Sequence, residues 1–487
     1  MKPTEHPRPL RPDRLRWAMF LCLCASPTLL AAGPLQPASG PGGTPLVSEA
    51  HGVPVIDIVA PNASGLSHNQ FLDYNVGNQG LVLNNAVHAG QSQLAGALAA
   101  NPQFQGQAAS TILNEVISRN ASLIEGPQEI FGRAADYILA NPNGITLNGG
   151  SFINTTRAGL LVGTPVIEDQ QLKYLDTLEA EGALQVLAGG QSNREGALDL
   201  IAPRIDSVGP LEAKGELNLK VGRQRLDAAS GEVLQHLPGT QGSIDASLFG
   251  AMRAGRIRVV SSAEGAGVKV GDVALQADDE LSIRSAGDLR VQGTGQHQAS
   301  LTSTRGALTL DAAGDLQLTA TRGQAERIEA RSGQRLILDA ATREEVQRDR
   351  EAWDKKWWFV TSETYSRERT QTDLAHQGSV LQASDNLTLD ANDNLQLSAA
   401  QLQAGGTLAL HSGADLAIDA AVDSSNVDEQ VRHRKHLWRG DSDSQQYREK
   451  ASPSTLQGAQ IVASAGNALR VRASTLHSQG DLQLQAR

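Results

Sequence analysis

Few residues in this chain have the types and spacing that chemistry needs. His433 and His436 stand three apart, as metal-binding histidines can, but Arg432, Arg434 and Lys435 beside them would repel a cation. That stretch therefore reads as a solvated basic loop. The segment Gly265-Ala-Gly267-Val-Lys-Val-Gly271 has three residues between its last two glycines and lies among strands, so it does not form a dinucleotide turn. No HExxH, GxSxG, P-loop or CxxC pattern occurs. Arg439-Gly440-Asp441 has the sequence that integrins recognise; a polar surface loop of the same composition would need no function.

One short motif has a local reason for every residue. In Asn141-Pro142-Asn143-Gly144, the Asn141 side chain can bond the backbone two residues on, and Pro142 presets φ for a turn. Asn143 and Gly144 tolerate positive φ, so the chain can turn sharply between Tyr137–Ala140 and Ile145–Leu147. On these residues alone the motif is a stabilising corner.

The elements that must position such corners follow from composition and period. The chain has 487 residues, 48 glycines, 3% aromatics and a net charge of −11. Glycine without a G-X-Y period excludes collagen, and 40% hydrophobic residues exclude a disordered polymer. Residues 1–33 hold Lys2, Arg8, Arg11, Arg14 and Arg16 against Glu5 and Asp13, leaving the remainder near −14. So acidic a body is not expected to bind nucleic acid.

A basic stretch, the apolar run Trp17–Ala32 broken by Pro27, and small residues beyond it make an export signal at 1–33, cut near Ala32 or Gly33. Both cysteines, Cys22 and Cys24, lie inside it. A disulfide or cysteine-bound zinc in the mature chain is thereby excluded. The lack of cysteine suits a chain that must thread a pore unfolded, and chance would also produce it.

From about residue 195 one pattern dominates: glycine, a polar residue, then Leu-x-Leu, as in Gly215-Glu-Leu217, Gly287-Asp-Leu289, Gly314-Asp-Leu316, Gly413-Ala-Asp-Leu416 and Gly480-Asp-Leu482. Leu387, Leu395, Leu408 and Leu416 are separated by 8, 13 and 8 residues, a period of 21. Short alternating strands at that period stack as coils. The expected fold is all-β, a right-handed parallel β-helix with a β-rich N-terminal cap and extruded hairpin-like inserts. Polysaccharide-degrading enzymes share this architecture and are the remote alternative. They need clustered carboxylates on one flank, whereas aspartates here follow glycine at corners. The inserts, about 342–375 and 422–452, are charge-dense and hold Trp353, Trp357, Trp358 and Trp438. They read either as loops whose aromatics cover the rod or as a surface for a partner.

Residues 51–170 carry different text: Asn69 to Val76 (NQFLDYNV), Gly80 to Asn85 (GLVLNN), Ile112 to Val116 (ILNEV) and Ala140 to Thr146 (ANPNGIT). This resembles the secretion domain of filamentous-haemagglutinin and contact-dependent growth-inhibition exoproteins of two-partner secretion systems, and the resemblance spans nearly everything after residue 50. Two departures stand out. An upstream Asn-Pro-Asn-Leu motif reads Asn101-Pro102-Gln103-Phe104, and Leu147 to Gly150 lacks the cysteines of many growth-inhibition relatives.

The resemblance implies export by the Sec translocon, an unfolded passage through the periplasm, and handover to a dedicated outer-membrane β-barrel transporter whose periplasmic domains bind the secretion domain. It implies a secreted or surface protein of a Gram-negative bacterium. The secretion motif would comprise Asn69, Asn75, Asn84, Asn85, Asn101, Pro102, Asn141, Pro142, Asn143, Gly144 and Ile145, and Arg439, Gly440 and Asp441 would offer a cell-attachment site. The expected organisation is signal 1–33, linker 34–50, secretion core 51–175, first coils 176–280, and repeats 281–487 with the two inserts. The expected function is an adhesin without catalytic residues, metal or cofactor, meeting a receptor on a host cell or neighbouring bacterium. The alternative is the stalk of a growth-inhibition toxin. No capping coil follows Leu482, so the chain is expected to be the N-terminal part of a longer protein or a truncated product.

Overall fold

The 21-residue spacing fixes the architecture directly. Leu387 lies beside Leu408 and Leu395 beside Leu416 in parallel strands, so one full coil of chain separates each pair. A computed structural model describes residues 35–487 apart from 359, 436 and 437. The expected signal at 1–33, with both cysteines, lies outside the described residues.

The described chain is all-β and winds as a parallel β-helix. One face is a 12-stranded parallel sheet running from Ser122–Ile124 to Leu469–Val471. Its inward ladder stacks Ile145, Leu184, Ile205, Ala246, Val268, Leu289, Leu316, Leu336, Leu395 and Leu416. All ten are buried, so the alternation of each short strand is satisfied by one continuous apolar column. Two further rows of strands run beside it and merge where Met252–Ser261 and Ala274–Ser285 each bridge both rows.

The corner glycines earn their place by close approach. A Cβ on Gly413 would sit 2.1 Å from the Asn392 carbonyl oxygen, and one on Gly466 would sit 2.0 Å from that of Gly413. The corner aspartates cap the next coil. Asp288 Oδ1 accepts the Asp315 amide at 3.0 Å, Asp315 Oδ1 accepts the Arg335 amide at 3.1 Å, and Asp415 Oδ1 accepts the Ala468 amide at 3.2 Å.

The expected linker at 34–50 is instead structured. Gln36–Ala38 pairs antiparallel with Leu66–Asp73, and Leu46–Ala50 pairs antiparallel with Val53–Asp57. The physical reason is the open backbone edge of the first coil, which would otherwise present unpaired N–H and C=O groups. A second addition lies on the flank, where Thr164–Glu168, Gln171–Asp176, Gln224–Asp227 and Val233–His236 form a four-stranded antiparallel sheet. Leu226 of this sheet packs with Leu66, Leu113, Leu161 and Ile201 on the outside of the rod.

The inserts are two long hairpins, Ala341–Trp357 with Val360–Gln377 and Ala421–Lys435 with Trp438–Ser452. They also pair with each other from Glu363↔Lys435 to Leu374↔Ser424, making one four-stranded antiparallel blade. Its root, near Thr342 and His376, joins the rod, and its far end stands about 50 Å away at ~3.3 Å per residue. Trp353, Trp358 and Trp438 are 38%, 83% and 60% exposed, so these three do not cover the rod flank. The basic loop expected at 432–435 is part of a strand, and His433 Nε2 bonds Glu363 Oε1 at 2.8 Å.

Candidate functional site

The motif asparagines gather in the first coils, where each side-chain amide ties backbone from separate segments. Asn69 Oδ1 accepts the Val59 amide at 2.9 Å, while its Nδ2 faces the Ser67 and Leu113 carbonyls at 3.3 and 3.4 Å. Asn85 Oδ1 accepts the Ala109 amide at 2.8 Å, and its Nδ2 donates to the Ala109 and Arg133 carbonyls at 3.0 and 2.8 Å. Asn101 Nδ2 donates to the Ile58 and Asn84 carbonyls at 2.9 and 2.8 Å. Asn84 Nδ2 reaches Asp57 Oδ1 at 2.7 Å. Burial raises the Asp57 pKa, and the Asn84 bond opposes that rise in part.

A second group holds residues 118–123. Asn141 Nδ2 donates to the Asn120 carbonyl at 2.9 Å and the Ser122 hydroxyl at 3.0 Å. Asn143 Nδ2 donates to the Ser118 carbonyl at 2.9 Å, and Asn75 Oδ1 accepts the Leu123 amide at 2.8 Å. Asn141 Oδ1 accepts the Asn143 amide two residues on, as its side chain allows. Gly144 alone in the motif takes positive φ, +122°. Its carbonyl accepts the Ser122 amide, and Ile145 enters the 12-stranded sheet between Ser122 and Leu184. Pro102 is exposed and Pro142 half-buried.

The departure at Asn101-Pro102-Gln103 leaves this turn geometry intact. Asn101 Oδ1 accepts the Gln103 amide at 2.9 Å, matching 3.0 Å in the Asn141 turn. Arg439, Gly440 and Asp441 stand far from both groups, within strand Trp438–Ser452. The Arg439 and Asp441 side chains pair with each other at 2.8 Å.

Several contributors carried too weak a signal for sequence reasoning to find. Buried Glu129 accepts from the Ser92 hydroxyl at 2.7 Å and from the Gln93 and Leu94 amides at 2.9 Å each, fixing the hairpin at 90–98. Its only trace is a carboxylate interrupting the apolar strand Pro127–Gly132. Inside the rod, the Tyr74 and Tyr137 hydroxyls converge on Gln128 Oε1 at 3.2 and 2.7 Å, and burial pushes both phenols up. Glu115 receives His68 Nε2 at 2.8 Å and Gln70 Nε2 at 3.0 Å. Burial works against its ionised form, but those bonds outweigh it and hold the carboxyl below its ordinary range.

A solenoid whose first coil is sealed by antiparallel strands and pinned by buried amides, followed by regular leucine coils, defines a β-helical protein of two parts, a capped head and a repeat stalk. Residues 36–291 match the TPS secretion domain family, 290–343 and 445–486 a haemagglutinin repeat, and 359–433 a second haemagglutinin repeat. The chain belongs to the two-partner secretion exoproteins, which Gram-negative bacteria secrete across the outer membrane with a cognate transporter. It is 37% identical over 382 residues to a hemolysin of Proteus mirabilis, covering 73% of this chain and 24% of that one. It is 38% identical over 416 residues to a hemolysin of Serratia marcescens, covering 77% and 25%. With the 16S rRNA endonuclease CdiA of Enterobacter cloacae it shares 36% identity over 348 residues, 64% of this chain and 10% of the other. The crystal structure of a filamentous hemagglutinin secretion domain superposes with a TM-score of 0.51 at 26% identity, covering 63% of this chain and 95% of that domain. The chain thus spans about a quarter of the length of the hemolysins it matches.

Proposed function

We propose that this chain is the export-directing head and stalk of a surface adhesin of the filamentous-haemagglutinin kind. The Sec translocon would deliver it to the periplasm, and the transporter's periplasmic domains would read residues 51–175 before the chain folds. The supporting observation is burial: Asn69, Asn85 and Asn141 have 0% exposed surface. A partner domain cannot touch those side chains on the folded coil. Recognition of the amides therefore belongs to the unfolded chain, and the clamping described above belongs to the folded one. Growth of the stalk outside the cell, each coil adding an interface to the last, would bias the movement outward.

Replacing Asn141 and Asn143 together with Ala tests this. Export should fall sharply, with the chain stalled or degraded in the periplasm. Export at the wild-type level would remove the motif from the mechanism. The folded corner loses bonds in this variant as well, so binding of the unfolded 51–175 segment to the transporter's periplasmic domains separates the causes: lost binding assigns the defect to recognition, and retained binding with lost export assigns it to folding.

A second reading is favoured by the hemolysin and CdiA relatives, which match most of this chain but a quarter or less of their own length. There the rod is a stalk for an activity carried elsewhere in a longer protein. A toxin-coding stretch downstream in the same reading frame would support it, and an uninterrupted series of repeats would favour the adhesin. No catalytic role is proposed for the corner aspartates, since Asp288, Asp315 and Asp415 are engaged by backbone amides. Arg439, Gly440 and Asp441 enter as a candidate attachment point for a host or neighbouring cell. A receptor using both charges must first open their 2.8 Å pair. Loss of cell attachment in Asp441→Glu supports that role, and unchanged attachment removes it.

A further inference from the structure

The blade has no counterpart in the clamping of the first coils or in the leucine columns. Its register brings one kind of surface together at its far end. Trp353, Tyr365 and His433 lie directly opposite one another on adjacent strands, and Gly440 completes the row. Trp353 stacks on Tyr365 with centroids 5.4 Å apart, and His433 meets Trp438 edge-on at 5.6 Å. The Trp438 ring occupies the space over Gly440, where a Cβ would lie 2.5 Å from it. Trp438 is nonetheless 60% exposed and Trp358 83%.

Cations surround these rings. Residues 353–363 and 432–441 hold six basic side chains (Lys355, Lys356, Arg432, Arg434, Lys435 and Arg439) and three acidic ones, Asp354, Glu363 and Asp441. This local excess of positive charge stands at the end of the blade, in a chain whose net charge is −11. Lys355 Nζ lies 5.1 Å from the Trp353 ring centre. Arg432, Arg434 and Lys435 form no ion pair within 4 Å among the described residues.

We propose that the distal end of the blade docks on an anionic lipid bilayer. Exposed indoles seek the headgroup level of a bilayer, where the ring meets apolar chains and the N–H meets water. Lysine and arginine beside them are drawn to anionic headgroups. Both hairpins bring this chemistry to the same end, so their contributions add on one plane. A sugar ligand fits less well. Trp353 and Tyr365 turn their faces to each other, and Trp438 lies against Gly440 and His433, so among the described residues Trp358 is left without a neighbouring open ring to form a row for pyranose rings.

Flotation of the purified chain with phosphatidylcholine vesicles, with and without phosphatidylglycerol, tests the proposal. Capture is expected only with the anionic vesicles, with tryptophan emission moving to shorter wavelength, and it should weaken as salt is raised. Neutralising Lys355, Arg434 and Lys435 to Gln should lower binding by roughly fivefold per charge. Trp358→Ser with Trp438→Ser should remove most of the emission shift, leaving the part contributed by the less exposed Trp353. Arg343→Gln with Lys450→Gln, at the root of the blade, should leave capture unchanged. Unaltered circular dichroism keeps a folding defect from passing as lost binding, and should the multiple variant unfold, Trp358→Ser alone, at an exposed turn, decides. The proposal is overturned by failure of the wild type to float, by equal capture of the distal variants, or by an equal loss from the root variant. A saccharide that shifts the emission while vesicles do not would likewise overturn it in favour of a glycan.

Discussion

Asn143 gives two hydrogen bonds to Asn141 Oδ1, one from its backbone amide at 3.0 Å and one from its side-chain amide at 2.9 Å. Asn141 is the buried member and Asn143 the half-buried one, so the two should differ in cost. Asn141→Ala strips partners from the Asn143 amide, the Asn120 carbonyl and the Ser122 hydroxyl. Unmet buried groups cost about 1–3 kcal/mol each, partly relieved by water at a corner, and a loss of about 3 kcal/mol is expected. Asn143→Ala should lose about 1 kcal/mol. Urea unfolding of the chain measures both, and equal effects would show that Asn141 is not the pin of this corner.

The glycines divide into those the fold demands and those it tolerates. Gly132 has φ +98°, and a Cβ there would lie 2.6 Å from the Ala86 Cα, a backbone atom that cannot swing aside. Gly132→Ala should therefore destabilise the first coils by about 2 kcal/mol or more. It should also disturb the Asn85 bond to the neighbouring Arg133 carbonyl. Gly215 has nothing within 4 Å of its would-be Cβ. Gly215→Ala should change stability by less than about 0.5 kcal/mol. Thermal midpoints of the two variants check the contrast, and similar shifts would contradict it.

Acid should weaken the same region through Glu115. Its folded pKa lies below the ordinary 4.5, so its contribution to stability is present above that value and is lost as pH falls through the lower folded value. The unfolding midpoint should drop below about pH 4.5, and Glu115→Gln should flatten part of that drop. The Gln variant keeps an acceptor for Gln70 but abolishes the carboxylate that titrates. An unchanged acid slope in the variant would assign the loss to other carboxylates.

Sequence reasoning reached the leucine columns because their information is local and repeated. Each Leu-x-Leu strand announces its buried face, and the interval of 21 announces the next coil. The Asn141 turn was legible for a similar reason, since the donor lies two residues from its acceptor. The targets of the Asn141 Nδ2, Asn120 and Ser122, were not legible, because the contact exists only after a coil has closed. The strands at 36–50 were hidden by a Pro-, Gly- and Ser-rich text that suits a linker equally well. Their pairing depends on an edge that the rod creates. The union of the hairpins was least visible. Glu363 and Lys435 are far apart in the chain, and alternating charges on both faces provide no apolar stripe to declare a register.

That union sharpens what deletion of the first hairpin should do. Ile328 pairs directly with Leu387, and Leu336 with Leu395, on the two sides of the insert. The rod ladder is therefore continuous without the blade, and removing 344–372 should leave the cooperative unfolding of the rod intact. The second hairpin should not be indifferent. Strand Ala421–Lys435 now bonds Val360–Gln377 on one side and Trp438–Ser452 on the other, and the deletion strips the first of these partners. A lone two-stranded hairpin with both faces in water is marginal. Limited proteolysis of the deletion variant should thus cut within 421–452 well before it cuts the coils, at sites protected in the parent chain. Cleavage spreading through the coils at the same rate would show that the blade supports the rod. An uncut second hairpin would show that it stands without its neighbour.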